Sequence, residues 1–210
     1  MLTTKPLSAF LDELASSSPA PGGGSVAALA GSLGASLAAM VCRLTIGKKK
    51  YLDVEQVMKT TLQQLEEQRK AFTVLVDRDT EAFNKVMEAY GLPKDSEDQQ
   101  ALRSAAIQEA TKEAALVPLD VMKHVIDTLA LVKNVAERGN INSASDAGVA
   151  ALMLQAGCES AGLNVLINLK SITDTEFAGW RMQEMLSLSR TSQSQAEDIL
   201  TTVRRKIEHR

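Results

Sequence analysis

A glycine-rich turn near the N-terminus is the first feature whose residue types could bind a ligand. It consists of Pro21-Gly22-Gly23-Gly24-Ser25 and precedes an uncharged, alanine-rich stretch. Glycine lets a ligand approach the main chain closely, and a following helix N-terminus offers free N–H groups and partial positive charge to an anion. The turn matches neither a P-loop nor a dinucleotide-binding fingerprint, so alone it is more typical of a tight connection between helices.

Three consecutive lysines and a tyrosine form a second candidate, Lys48-Lys49-Lys50-Tyr51, directly after Gly47. Lysines at the end of a helix complement its dipole, which is a structural role. They could also hold a carboxylate or phosphate while the tyrosine ring stacks on a flat ligand. Taken alone, a run of charge is more typical of a solvated helix end than of a binding site.

One carboxylate interrupts an apolar helical stripe: Asp79 lies between Phe72 and Val86, at the same seven-residue spacing. A carboxylate on a core-facing stripe is costly unless it is paired or hydrogen-bonded. Pairing with Arg69 or Arg78 is one explanation. The other is a base whose pKa is raised by burial, and the sequence favours neither.

Short polar side chains are concentrated where a second small-residue helix begins, at Asn140, Asn142, Ser145 and Asp146. An aspartate near a helix start is a routine cap, whereas several short polar groups together could recognise a heterocycle. Farther along the same helix, Asn164 and Asn168 lie four residues apart among apolar neighbours. Buried amides need hydrogen-bond partners, which a ligand or another helix could supply.

Composition excludes several classes of function. The 210 residues, 45% of them apolar, suit one domain over residues 1–210 with a sizeable core. The net charge of −3 leaves no basic surplus for a phosphate backbone, so we predict no nucleic-acid partner. Cys42 and Cys158 do not make a disulfide scaffold. His124 and His209 are too few for a histidine zinc site or a Ser-His-Asp triad, and we predict no metal.

The distribution of apolar residues also bears on location. The N-terminal segment Ser8–Leu14 carries acidic residues where a secretory signal needs an apolar core. The uncharged segment from Val26 to Cys42 is shorter than the ~20 residues of a membrane span and is rich in alanine, glycine and serine. We therefore predict a buried helix there, no membrane association and a cytoplasmic location.

Apolar periodicity and turn residues predict helices throughout and no strand. The first is short and contains Leu7 to Leu14. Ser25 is the predicted N-cap of the second, which runs to about Ile46. Then follow Asp53 to Tyr90 (one helix or two nearly collinear ones), Ser96 to beyond Leu116 with a capping box, Leu119 to Ala136 after a kink or restart at Pro118, Ala144 to Leu169, Asp174 to Ser189, and Ser192 to Glu208.

Two of these helices, Ser25 to Ile46 and Ala144 to Leu169, are rich in small residues. In the first, small residues recur every four positions at Ala27, Gly31, Ala35 and Ala39. Such rows allow two helix backbones to approach closely. We therefore predict an all-α fold, a single-domain helical bundle of about six to eight helices with a central pair of Ala/Gly-rich helices.

Six segments, taken in order, carry a family resemblance: Pro21–Ala28, Thr45–Tyr51, Asp79–Phe83, Val117–Leu119, Ser145–Ala151 and Asn164–Asn168. Together they resemble the cyclodeaminase/cyclohydrolase family, which contains the cyclodeaminase half of formiminotransferase-cyclodeaminase and the stand-alone methenyltetrahydrofolate cyclohydrolases. The resemblance extends over about residues 5 to 190, and we expect no formiminotransferase domain.

The resemblance implies an enzyme of one-carbon metabolism that acts on a tetrahydrofolate, has no metal or other cofactor, and assembles as a homodimer or larger oligomer. It implies that Asp79 or Asp146 is the catalytic acid/base and that the three lysines anchor the glutamate tail. The expected substrate-binding residues are Gly22, Gly23, Gly24, Ser25, Lys48, Lys49, Lys50, Tyr51, Asn140, Asn142 and Asn164.

Two reactions fit this family. Hydrolysis of methenyltetrahydrofolate adds water to a cationic N–C–N bridge and opens one C–N bond to give formyltetrahydrofolate. Cyclodeamination closes that bridge from formiminotetrahydrofolate and releases ammonia, and a carboxylate acid/base suits both. The short chain length favours the cyclohydrolase. The alternative of another class is a non-catalytic folate-binding or structural helical oligomer, which a closed, arginine-paired Asp79 would indicate.

Overall fold

The protein is a bundle of long α-helices, described by a computed structural model over residues 1–209. Within these residues there is no strand, which confirms the predicted all-α class and helix number. The six helices are α1 (Leu7–Leu14), α2 (Gly23–Thr45), α3 (Glu55–Tyr90), α4 (Glu97–Arg138), α5 (Ala144–Leu169) and α6 (Thr175–Glu208). Short 3-10 helices cover Leu2–Thr4, Lys49–Val54 and Ile141–Ser143.

The two small-residue helices, α2 and α5, pack directly against each other in the centre. A Cβ added to Gly157 would lie 2.9 Å from the Ala27 carbonyl oxygen, and one added to Gly34 would lie 2.7 Å from the Leu154 side chain. Because residues later in α2 meet residues earlier in α5, the two helices are antiparallel. The predicted central pair is confirmed, and its close approach depends on the absence of side chains at these positions.

The longer helices enclose this pair. Helix α3 packs on α2, α4 packs on α3 and α5, and α6 packs on α4 and α5. The residues of α3 from Glu55 to Tyr90 form one continuous helix. Helix α4 begins with the predicted capping box of Ser96 and Gln99.

Helix α4 continues through Pro118, so of the two predicted outcomes there, a kink or a restart, the restart is wrong. A proline has no N–H to donate to the carbonyl four residues earlier, which here belongs to Ala114. The Asn168 side chain of α5 donates to this Ala114 oxygen at 3.2 Å. A side-chain hydrogen bond from α5 therefore satisfies the carbonyl that Pro118 leaves without its usual donor.

Two other predicted helix boundaries are wrong. Gly22 rather than Ser25 is the N-cap of α2, because Gly23 and Gly24 adopt helical conformation and Ser25 becomes the third, fully buried residue. The two predicted C-terminal helices form the single helix α6. The Thr191 hydroxyl there donates to the Ser187 carbonyl oxygen within the helix.

By length and composition alone, Gly23–Thr45 and Ile141–Leu169 are both apolar enough to cross a membrane. In the structure, 61% and 44% of their most apolar stretches are buried in the bundle. These segments contain the central pair, α2 and α5, and core helices of a water-soluble bundle pass the same composition test.

Candidate active site

A cleft of about 340 Å³ opens beside the N-terminal end of α2. It is lined by Pro19, Ala20, Gly22, Gly23, Gly24, Asp79, Phe83, Val86, Ala114, Asn164, Ile167 and Asn168. The glycine turn forms one wall, and α3, α4 and α5 supply the others. Apolar side chains flank a few polar groups, which is the usual composition of a small-molecule site.

Asp79 is the one charged residue among those that line the cleft in the described part of the chain. Neither arginine proposed as its partner binds it, since Arg69 pairs with Glu66 at 2.7 Å and Arg78 approaches Asp120 at 3.5 Å. Asp79 is therefore available to a ligand, and the closed, arginine-paired arrangement expected of a purely structural role is absent from residues 1–209.

The carboxylate of Asp79 lies against the first turn of α2. The Ser25 hydroxyl donates to Oδ2 at 2.9 Å. A Cβ added to Gly24 would lie 2.0 Å from Asp79 Oδ1, a distance that no side chain can occupy. Glycine at position 24 is therefore required for the carboxylate to reach the helix end, and this gives the glycine turn a definite role.

Burial raises the pKa of Asp79 above its ordinary value, and hydrogen bonds from the side chain and main chain of Ser25 oppose that rise. Desolvation is the larger effect. A carboxylate with a raised pKa, facing a cleft, is a stronger proton acceptor than an ordinary aspartate and is suited to general acid/base catalysis.

Two amides from α5 face the same cleft. Asn164 donates its amide N–H to the Ser160 carbonyl oxygen at 2.9 Å, and Asn168 donates to the carbonyl oxygens of Ala114 and Asn164. Asn168 uses its amide nitrogen for both of its bonds, and each of the two side chains also has a carbonyl oxygen that can accept a hydrogen bond. Such acceptors suit a heterocycle that carries N–H donors.

The other predicted site residues lie at the opposite end of α2. Helix α2 has 23 residues, so its ends are about 33 Å apart. Near the far end, the Asn140 side chain donates to the Leu44 carbonyl oxygen at 3.0 Å, and the Tyr51 hydroxyl accepts from the Ile141 N–H at 3.0 Å. The predicted residues at this end are Lys48, Lys49, Lys50, Tyr51, Asn140, Asn142 and Asp146.

The predicted residues thus form two groups within the chain. Gly22, Gly23, Gly24, Asp79 and Asn164 line the cleft, and Ser25 contacts it through Asp79. The second group, which lies at the lysine end of α2, does not line this cleft. Of the two candidate acid/bases, only Asp79 faces the cleft of its own chain, and a catalytic role for Asp146 stays a prediction.

Several cleft residues were missing from the predicted site: Pro19, Ala20, Phe83, Val86, Ala114, Ile167 and Asn168. The sequence indicates Asn168, beside Asn164, as an amide in need of a partner, although it is not among the expected binding residues, and helical spacing could also have indicated Phe83, which follows Asp79 by one turn. Ala114 comes from a different helix, and only the packing of α4 against α5 places it there. Among residues 1–209, no three His, Cys, Asp or Glu side chains come together in a metal-binding group.

The cleft of this all-helical bundle is surrounded by a half-buried carboxylate, a helix N-terminus and two amides. These groups make it a small-molecule site equipped for proton transfer. Residues 6–187 match the formiminotransferase-cyclodeaminase family. The chain belongs to this family, which confirms the family resemblance seen in the sequence.

Relatives across the family share most of the chain. A methenyltetrahydrofolate cyclohydrolase from Methylorubrum extorquens is 46% identical over 207 residues, which cover 99% of this chain and 100% of that protein. The formimidoyltransferase-cyclodeaminase of Gallus gallus is 40% identical over 176 residues, 84% of this chain but only 32% of that protein. This chain therefore corresponds to about a third of the latter protein.

A solved structure has the same fold. The crystal structure of formiminotetrahydrofolate cyclodeaminase from Thermotoga maritima superposes with a TM-score of 0.82 at 37% sequence identity, covering 100% of this chain and 98% of that one. All three of these proteins are named as enzymes, in agreement with the predicted enzymatic function.

Proposed function

We propose that this protein is a methenyltetrahydrofolate cyclohydrolase. The observation that carries the proposal is the 46% identity to a protein of that name along the full length of both chains. The half-buried Asp79 in an otherwise uncharged cleft supports it, because hydrolysis of a cationic bridge needs a group that attracts positive charge and accepts a proton.

In this proposal Asp79 has two roles: it stabilises the positive charge of the substrate, and it accepts a proton from water. Its carboxylate stabilises the cationic N–C–N bridge and orients a water molecule toward the bridging carbon. As the water oxygen bonds to carbon, Asp79 accepts a proton from it. The same proton then passes to the ring nitrogen as the C–N bond breaks, and loss of the remaining hydroxyl proton to solvent gives formyltetrahydrofolate.

The cleft walls suit the flat part of this substrate. Phe83, Val86 and Ile167 offer apolar surface to a ring system. The carbonyl oxygens of Asn164 and Asn168 can accept hydrogen bonds from its ring N–H and amino groups. Bare main chain at Gly22 and Gly23 allows the ligand to approach closely.

Formiminotetrahydrofolate cyclodeaminase is the second candidate, favoured by the structural match to the Thermotoga maritima protein of that name. This chain covers 98% of that protein, so a short chain does not distinguish the two reactions. The full-length identity to the cyclohydrolase is higher, at 46% against 37%, and the cyclohydrolase therefore remains the main proposal.

Absorbance of the methenyl compound separates the candidates in one experiment. The purified protein is given methenyltetrahydrofolate in one cuvette and formiminotetrahydrofolate in another. Accelerated loss of methenyl absorbance in the first supports the cyclohydrolase. Appearance of methenyl absorbance with release of ammonia in the second supports the cyclodeaminase, and binding of folate without either change would support a non-catalytic protein.

We also propose that the protein works as a homodimer, with the exposed face of α2 and α5 as its interface. Large apolar side chains lie exposed along this face, at Val26, Leu33, Met40 and Leu44 on α2 and at Val149, Leu152, Leu163 and Ile167 on α5. On α2, positions 26, 33 and 40 repeat every seven residues, as in helices that pack against a partner helix. Exposed large apolar side chains in this number on two neighbouring helices are typical of an interface.

A second copy on this face also explains how the lysines could serve a cleft that is distant from them in their own chain. A twofold axis that lies in the plane of this face and runs perpendicular to α2 places α2 of one subunit antiparallel to α2 of its partner. The lysine end of each subunit then lies beside the cleft end of the other. In such a dimer Lys48, Lys49 and Lys50 can reach the glutamate tail of a folate bound in the partner's cleft, although they are about 33 Å from their own.

A further inference from the structure

Ser25 is surrounded by oxygen atoms in a fully buried position. Its side chain is 0% exposed, and its Oγ lies 2.9 Å from Asp79 Oδ2, 3.1 Å from the Val76 carbonyl oxygen and 3.4 Å from Thr80 Oγ1. A serine hydroxyl has one proton to donate and two lone pairs that accept. The hydroxyl therefore has two good acceptors within reach but can donate to only one at a time.

The two acceptors differ in one important property. The Val76 carbonyl oxygen can only accept, whereas Asp79 Oδ2 accepts when it is ionised and donates when it is protonated. The acceptor to which the Ser25 hydroxyl donates therefore changes with the protonation state of Asp79. Ser25 is fully buried, so its own hydroxyl does not contact solvent.

We propose that Ser25 is a positioning residue that keeps Asp79 hydrogen-bonded in both of its protonation states by rotating its hydroxyl between Asp79 Oδ2 and the Val76 carbonyl oxygen. With Asp79 ionised, Ser25 donates to Oδ2. When Asp79 carries its proton on Oδ2, Oδ2–H donates to Ser25 Oγ, and Ser25 donates to Val76. Ser25 keeps its own proton throughout, and it binds no substrate atom.

The surroundings of Asp79 make this hydrogen bond important. The adjoining turn of α2 and the two amides of α5 are uncharged. On α3, Arg78 and Glu81 face a separate cleft with Lys85 and with Glu113 of α4, and Arg78 approaches Asp120 of α4. Since Ser25 supplies the hydrogen bonds that oppose the effect of burial on the pKa of Asp79, removing its hydroxyl should make the carboxylate harder to ionise.

This inference rests on the proposed function for the role of Asp79, but its test does not need turnover. The Asp79 carboxyl carbon is followed by carbon-13 NMR in the ligand-free protein labelled with 13C-aspartate, and its signal is assigned by its loss in Asp79→Asn. In Ser25→Ala the apparent pKa of Asp79 should rise by about one pH unit, because the charged form loses a hydrogen bond. Ser25→Cys, with a weaker donor of similar size, should fall between Ser25→Ala and the wild type.

The matched control is Ser36→Ala on the same helix, where the hydroxyl donates to the Ser32 carbonyl oxygen rather than to the cleft. It should leave the titration of Asp79 unchanged. In turnover assays Ser25→Ala should lower kcat about three- to tenfold at neutral pH, shift the acidic limb of the pH profile upward, and leave KM within about twofold.

An identical Asp79 titration in wild type, Ser25→Ala and Ser25→Cys would overturn the inference. A change of KM with kcat and the pH profile unaltered would also overturn it, since that result indicates direct substrate binding by Ser25. If the titration shifts as expected but the wild type hydrolyses no methenyltetrahydrofolate, the proposed function fails while the hydrogen-bonding role of Ser25 stands.

Discussion

Asp79 combines two features that usually exclude each other, a position on the core-facing side of a helix and an open path to a cleft. Its sequence context left open whether it forms an ion pair or acts as a base. The question depends on where two arginine side chains point, and sequence spacing does not determine that. In the structure Arg69 and Arg78 turn to Glu66 and Asp120, which leaves Asp79 to the cleft.

The raised pKa of Asp79 has a consequence for stability. In the folded state Asp79 holds its proton to a higher pH than in the unfolded chain, where an aspartate has a pKa of about 3.9. Its contribution to stability is therefore complete below the unfolded pKa and is lost as the pH rises through the folded pKa. Asp79→Asn should unfold at neutral pH at a temperature no lower than the wild type, with a difference that shrinks in acid.

Thermal unfolding of both proteins between pH 4 and pH 8 measures this directly. A lower midpoint for Asp79→Asn at neutral pH would contradict the expectation. It would indicate instead that the main role of the carboxylate is to cap the first turn of α2.

Gly24 should tolerate no side chain. In Gly24→Ala the new Cβ would overlap Asp79 Oδ1, at 2.0 Å, so the carboxylate must move out of its hydrogen bond with Ser25. We expect kcat/KM to fall at least about tenfold, because small displacements of a catalytic group are costly. Gly179→Ala is the matched control, since a Cβ at position 179 meets nothing within 4 Å, and it should retain full activity.

At the scale of helices, the sequence predicted the central small-residue pair correctly because the rows of alanine and glycine have a direct geometric meaning. It failed where tertiary contacts override local signals. Helix α6 runs through Ser189 to Ser192 because α4 and α5 support it along its length. Helix α4 runs through Pro118 because Asn168, from another helix, satisfies the carbonyl of Ala114.

Two glycines on α5 test how closely the central pair packs. Gly157→Ala would place a Cβ 2.9 Å from the Ala27 carbonyl oxygen on α2, and main-chain atoms cannot move aside easily. We expect a loss of about 1–3 kcal/mol in the free energy of unfolding. Gly162→Ala meets only the flexible side chains of Met122 and Met185, at 3.7 Å and beyond. It should be neutral or stabilising by up to ~1 kcal/mol, because alanine favours helix more than glycine does.

Urea unfolding of the two variants beside the wild type makes the comparison. Equal effects of the two substitutions would show that the approach of α2 to α5 is less tight than these distances require.

At the scale of the whole molecule, the predicted site residues divide between the two ends of α2. Because α2 has 23 residues, its two ends are about 33 Å apart, and the two groups do not meet within one chain. The sequence does not show how residues at opposite ends of α2 could serve one site. In the proposed dimer, the lysine end of one subunit lies beside the cleft end of the other, across the exposed apolar face of α2 and α5.

The dimer can be tested through its interface and through shared sites. Leu33→Glu, on the exposed face, should convert dimers to monomers in sedimentation experiments, because it places charge in an apolar contact. Leu102→Glu, on α4 and also exposed, should leave the assembly unchanged.

Mixed dimers test whether the lysines serve the partner's cleft. When Asp79→Asn chains are refolded together with chains in which Lys48, Lys49 and Lys50 are all alanine, each mixed dimer regains one intact site. About a quarter of the wild-type activity should return, since half of the dimers are mixed and each has one working site of two. Activity no greater than the sum of the two separate variants would contradict shared sites.

The most direct test of Asp79 as the catalytic acid/base is the rate at which Asp79→Asn hydrolyses methenyltetrahydrofolate. We expect kcat to fall about 10²- to 10⁴-fold, the usual contribution of a general acid/base, in a protein that still folds and binds folate. Asp198→Asn, a change at an exposed position on α6, should hydrolyse the substrate at the wild-type rate. Near-normal turnover by Asp79→Asn would contradict the assignment of the cleft as the active site.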